Sequence, residues 1–137
     1  MTGMGGYLHF EDENFADAVT RIIIEEEIES IHLVQNTACR FIDQALSDNE
    51  NLEYPVQYIL KKLYIENELQ LKSMDSKLEM AIHLASLMIT EVSVNIQKSN
   101  LLKEIIKNKN IELKGTLIQP DSNKLSSFNL NKSSILA

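Results

Sequence analysis

Apolar residues are densest between Ser76 and Ile106. Leu78, Ile82, Ala85, Ile89, Val92 and Ile96 recur four and three apart, which gathers them into one stripe on a helix. Ala81, Leu84, Met88 and Leu102 widen that face, and Glu79, Glu91 and Lys98 are the residues that clearly want water. A helix this apolar needs cover on more than one side. The pattern predicts the central element of a helical bundle, covered by its own chain, by other copies or by a partner.

The same rhythm predicts a long helix over about 13–46. Ile24, Ile28, Ile31, Gln35, Ala38, Ile42 and Ala45 follow at four and three, with Phe15, Val19 and Ile22 leading in and Asp12 placed as amino-terminal cap. Such a rod extends about 50 Å at 1.5 Å per residue. Residues 47–54 are polar, as a connection should be. Pro55 then suits the first turn of a new helix with Val56, Ile59, Leu60, Leu63, Tyr64 and Leu71 on one side. Ser76-x-x-Glu79 has the form of a capping box, so this helix either stops near Lys72 or runs on to about Asn108. No glycine or proline lies between Pro55 and Gly115, which favours a continuous or merely kinked helix.

Beyond Asn108, Ile111, Leu113 and Leu117 flank Gly115 in what reads as a short extended piece. Residues 121–137 carry only scattered apolar side chains, too sparse to bury a core. The expected fold class is all-α: a long antiparallel helical hairpin or three-helix bundle with coiled-coil-like seams and an irregular C-terminal tail. The corresponding boundaries are a flexible segment at 1–12, a helical domain at 13–109 and an extended or disordered tail at 110–137.

Composition sharpens this picture. At 137 residues the chain fits one domain, and with 6% aromatic residues and no Trp its core must be Leu, Ile, Val, Ala and Met. The formal charge of −7 is unevenly spread: residues 1–53 hold 12 acids against Arg21 and Arg40, and residues 54–137 hold 8 acids against 11 lysines. The two halves attract, within one chain or between copies. An acidic first half argues against nucleic acid, whose phosphates need clustered Lys or Arg. Cys39 is the only cysteine, so no internal disulfide forms and a reducing, cytoplasmic setting is expected. Beside Ala38 and Phe41 it reads as a small packed side chain. The longest nearly continuous apolar run, 80–89, is about half a bilayer span, so no membrane span is expected.

Candidate chemistry is thin. Glu29-x-x-His32 has the spacing with which di-iron carboxylate bundles bring a carboxylate and an imidazole to one metal, and Glu79 and His83 lie one turn apart on another helix. No phosphate loop, paired-cysteine spacing or nucleophile motif accompanies them, and neither a metal nor a cofactor is assigned. Asp17-Ala18-Val19-Thr20 resembles the opening of the small R-body structural proteins of the killing-trait family, and the region of Met88, Asn95, Gln97, Asn100 and Leu102 is similar to their second half. That resemblance implies a polymer-forming subunit. The chain lacks the Ala- and Gln-rich character of that family and is not assigned to it.

The expectation is a non-enzymatic structural or adaptor protein that self-assembles or packs on a partner chain. Val19, Ile28, Ile31, Ile42, Leu78, Ile82, Ile89 and Val92 would form the interface. The alternatives are a small ferritin-like metal-binding bundle using Glu29 and His32, and an assembly chaperone for a secretion or phage-like machine.

Overall fold

The computed structural model describes residues 7–47 and 51–131. The carboxylate of Asp12 accepts the N–H groups of Asn14 at 2.8 Å and Phe15 at 3.3 Å and starts α1 (Glu13–Glu25). The helix then ends without a glycine. Glu27 adopts a left-handed conformation, φ 50°. The Ile28 N–H reaches back to the Ile23 carbonyl at 3.1 Å, and the Glu27 N–H to that of Ile24 at 3.4 Å. These crossed bonds satisfy the last carbonyls of the helix, and the chain leaves as a strand, β1 (Ser30–Asn36).

The first predicted helix is therefore three elements: α1, β1 and the short α2 (Arg40–Leu46). Ile31, Leu33 and Gln35 point into the core at alternate positions, a period of two that the four-three rhythm of the flanking residues conceals. After α2 come α3 (Pro55–Glu66) and α4 (Glu68–Lys72), and then the long α5 (Lys77–Lys98). The expected continuous second helix is broken. The Ser76 hydroxyl accepts the Glu79 N–H at 3.1 Å, and the Glu79 carboxylate accepts the Asp75 N–H at 3.3 Å. The capping box thus works as a helix start. A second serine cap, Ser99 on the Leu102 N–H at 3.4 Å, opens α6 (Asn100–Asn108).

The end of α6 repeats the end of α1. Asn110 is left-handed, φ 54°. Ile111 donates to the Ile106 carbonyl at 2.9 Å and Asn110 to that of Lys107 at 3.2 Å, and β2 (Glu112–Gln119) follows. A 3-10 turn at Pro120–Ser122 leads to β3 (Lys124–Asn129). Among the described residues the sheet has the order β1-β2-β3, with β1 and β2 parallel and β2 and β3 antiparallel. The expectation of an all-α fold with an irregular tail is thereby corrected. The extended piece expected around Gly115 is β2, which buries Leu113, Gly115 and Leu117 on one side at alternate positions, whereas the sparsely apolar stretch after residue 121 still forms β3 by pairing its largely exposed residues with β2.

One apolar cluster runs from Tyr7 to Leu130. At its centre α5 buries Leu84, Ala85, Met88, Ile89, Val92 and Ile96. It packs on β1 and β2 and also on α2, α3 and α6. Its own chain covers the buried face of the apolar helix, while Leu78 at the start of the helix is exposed and Ala81, Ile82 and Leu87 are partly buried. At Gly115 a Cβ would lie 2.7 Å from Phe128 Cζ and 2.8 Å from Ile89 Cγ2. The sheet can meet α5 and β3's aromatic ring there only without a side chain.

Candidate functional site at the carboxyl end of the parallel strands

In open sheets with parallel strands, ligands bind beyond the carboxyl ends of those strands. At that end the turn from β1 to α2 is built by Asn36. Its side-chain oxygen accepts the Ala38 N–H at 2.8 Å, and its carbonyl accepts the Cys39 N–H at 3.2 Å. Thr37, buried, donates both its N–H at 3.0 Å and its hydroxyl at 3.2 Å to the Ile118 carbonyl near the end of β2. Cys39 follows as the residue preceding α2, in extended conformation, half-buried and with a free thiol. Its own carbonyl accepts the Ile42 and Asp43 N–H groups, and its side chain makes no cap bond. The exposed Arg40 guanidinium lies 4.9 Å from the centre of the Phe41 ring. The Asp43 carboxylate forms an exposed ion pair with Lys77 at 2.7 Å.

The residues with candidate chemistry in the sequence lie elsewhere. Glu29 and His32 share a helix face only if they lie on a helix. His32 lies on β1 and Glu29 just before it in extended chain, not on a helix, so the helical spacing on which a di-iron pair depends disappears. Glu79 is engaged in the cap of α5, and His83 Nε2 is buried with no hydrogen-bond partner among the described residues. Of the eight seam residues, Val19, Ile42, Ile89 and Val92 are core, Ile28, Ile31 and Ile82 pack partly buried against it, and Leu78 is exposed. They fall on α1, β1, α2 and α5 and on the turn before β1, not on one interface stripe. The Asn36–Arg40 turn is absent from the sequence-based expectations. The usable signal is the alternation Ile31, Leu33 with His32 between them, followed closely by Asn36-Thr37, a strand entering a side-chain-closed turn.

No protein-family model matches the chain, and no curated protein sequence matches it. Solved structures do. A β-carbonic anhydrase of Sordaria macrospora, one of two described as tetrameric, superposes with a TM-score of 0.78 at 16% identity, over 91% of this chain and 64% of its own. The β-carbonic anhydrase CafA of Aspergillus fumigatus also gives 0.78, at 18% identity, over 97% of this chain and 64% of its own. The Coccomyxa β-carbonic anhydrase, in complex with acetazolamide, gives 0.67 at 12% identity, over 90% of this chain and 57% of its own. The fold is therefore that of the β-carbonic anhydrases, and the chain spans somewhat under two-thirds of the length of these structures. The expectation of a coiled-coil structural or adaptor protein conflicts with this fold, which the matched β-carbonic anhydrases share, and no coiled-coil seam exists among the described residues. The ferritin-like and assembly-chaperone alternatives fall with the helical bundle on which they were built. Among the described residues no helix is long and apolar enough to cross a membrane.

Carbonic anhydrases generate their hydroxide on a bound zinc ion, and zinc takes sulfur, imidazole and carboxylate donors. Among the described residues no three His, Cys, Asp or Glu side chains converge. At the carboxyl end of the strands Cys39 is the single soft donor, and the β1 side chain nearest it in sequence is the amide of Asn36. The described residues do not by themselves fit the metal.

Proposed function

We propose that this chain is the larger part of a carbon dioxide-hydrating unit of the β-carbonic anhydrase type, with its reaction centre at the Asn36–Arg40 turn completed by residues beyond those described. The observation that carries this reading is the superposition on β-carbonic anhydrases over nine-tenths of the chain, with 91% covered against 64% of the longer protein. The thiol of Cys39 sits where an open sheet places its ligand-binding groups. The tetrameric state described for the Sordaria macrospora enzymes supports homo-oligomerisation here, and the lone free thiol supports a reducing, cytoplasmic setting.

Stopped-flow carbon dioxide hydration tests the reading. The chain alone should leave the uncatalysed rate unchanged. Fusing to it the part of the Sordaria macrospora enzyme that it does not match should raise the rate, and Cys39→Ser in that fusion should lower it again by at least about tenfold. A folded fusion without activity, or one indifferent to Cys39→Ser, contradicts the reading.

A further inference from the structure

Any zinc taken up at the carboxyl end of the parallel strands has Cys39 as its one sulfur donor, since the chain contains no other cysteine. The three imidazoles do not reach that thiol. His32 is on β1, four residues before Asn36 and so about 13 Å back along the strand. His9 is bonded to Glu11, and His83 belongs to α5. Among the described residues no three His, Cys, Asp or Glu side chains gather.

Two positions flank the thiol in the chain. Asn36 and Cys39 are the ends of one turn, in which the Cys39 N–H meets the Asn36 carbonyl at 3.2 Å. Two donors with two residues between them are the spacing by which one turn gives zinc a pair of ligands. Asp43 lies one helical turn beyond Cys39, whose carbonyl accepts its N–H at 3.2 Å. Its ion pair with Lys77 is exposed and leaves the carboxylate open to exchange. Positions 36, 39 and 43 thus outline a set of three, the number of protein donors a catalytic zinc takes, but the first of them is an amide. The Asn36 side-chain oxygen already accepts the Ala38 N–H at 2.8 Å, and the nitrogen of that amide is a donor of hydrogen bonds with nothing to offer a cation.

We infer that Asn36 closes the turn at the expense of a metal ligand, so that the Asn36–Asp43 segment gives zinc one thiolate and one exposed carboxylate and does not hold the ion by itself. The amide is spent on the backbone, and the position that would complete the set is the one that shapes the turn. This inference rests on placing the reaction centre at the turn and concerns only what these residues offer a metal. It is read by metal binding and not by turnover, so it holds or fails separately from carbon dioxide hydration.

Cobalt(II), whose bond to a thiolate absorbs in the near ultraviolet, is titrated into the full chain kept reduced, and zinc affinity is read by competition with a chromophoric chelator. The unaltered chain should show no thiolate–cobalt band and should leave zinc on the chelator. Asn36→His supplies an imidazole beside Cys39 and should gain the band and raise zinc affinity at least about tenfold, and adding Cys39→Ser should abolish both gains. Asn36→Asp keeps an acceptor for the Ala38 N–H while adding a carboxylate, so it should raise zinc affinity with the turn intact. Circular dichroism checks that the variants fold, and Asn36→Asp carries the test alone if Asn36→His does not. A thiolate–cobalt band in the unaltered chain that Cys39→Ser removes overturns the inference. So does the failure of the folded Asn36 variants to raise zinc affinity, because the amide would then not be what withholds the metal.

Discussion

Thr37 holds Ile118 twice. Its N–H at 3.0 Å and its hydroxyl at 3.2 Å converge on one carbonyl, tying the residue after β1 to the end of β2 where the candidate site lies. Thr37→Val keeps the backbone bond and loses the hydroxyl. The expected cost is about 0.5–1 kcal/mol in denaturant unfolding, because the Ile118 carbonyl retains one donor. A loss several times larger would mean that the hydroxyl, not the backbone, sets the geometry of the turn.

Gly115 is the position at which β2 tolerates no side chain. Any other residue would bring a Cβ to 2.7 Å from Phe128 Cζ and 2.8 Å from Ile89 Cγ2, so Gly115→Ala forces both neighbours to move. Thermal unfolding should show a destabilisation of about 1–3 kcal/mol. Phe128→Leu in the same chain should recover part of it, since the nearer obstruction is the ring.

Glu27 stands in a left-handed conformation at φ 50° that side chains other than Gly and Asn rarely adopt. Glu27→Gly relieves that cost and gives back part of it as unfolded-chain entropy, so a net gain of up to about 1 kcal/mol is expected. Denaturant midpoints measured with unchanged slopes check it. A destabilised Glu27→Gly chain would show that the carboxylate itself contributes at the end of α1.

Tyr7 and Glu11 titrate against each other. The Tyr7 hydroxyl donates to Glu11 at 2.7 Å, and His9 Nδ1 lies 3.3 Å from the same oxygen. Burial, then the bond to Glu11, raises the Tyr7 hydroxyl well above its ordinary value of 10.0. Partial burial works against the Glu11 carboxylate, but the Tyr7, backbone and His9 hydrogen bonds hold it below its ordinary 4.5. A lowered carboxyl contributes stability that is full above the ordinary value and is lost as pH falls through the lower folded one. A raised phenol contributes stability that is full below its ordinary value and is lost as pH rises through the folded one. Tyr7→Phe should therefore flatten both the acid and the alkaline limbs of a stability-against-pH curve. An unchanged acid limb would remove Glu11 from the account.

Much of the packing is legible in the sequence and much of the topology is not. The apolar positions Leu84, Met88, Ile89, Val92 and Ile96 are buried on a helix, and Ser76 and Glu79 mark where it starts. The strands are hidden for two physical reasons. Ile24, Ile28, Ile31 and Gln35 satisfy a helical rhythm while Ile31, Leu33 and Gln35 satisfy a strand period, and residues 28–36 contain no breaker to arbitrate. The decisive turns are made by Glu27 and Asn110, a left-handed Glu and Asn where a glycine would have announced the end of a helix. The candidate site is hidden along with the strand. A cysteine inside a long helix is packing, whereas the same cysteine three residues past the end of a parallel strand lies where ligands bind.

Residue-resolved amide hydrogen exchange across Ser30–Asn36 tests the account most directly. A strand paired with β2 on one side and open on the other predicts alternation, with Ile31, Leu33 and Gln35 slow and His32 and Val34 fast. Uniformly slow exchange through all these residues, as in an uninterrupted helix, would contradict the fold and with it the β-carbonic anhydrase likeness.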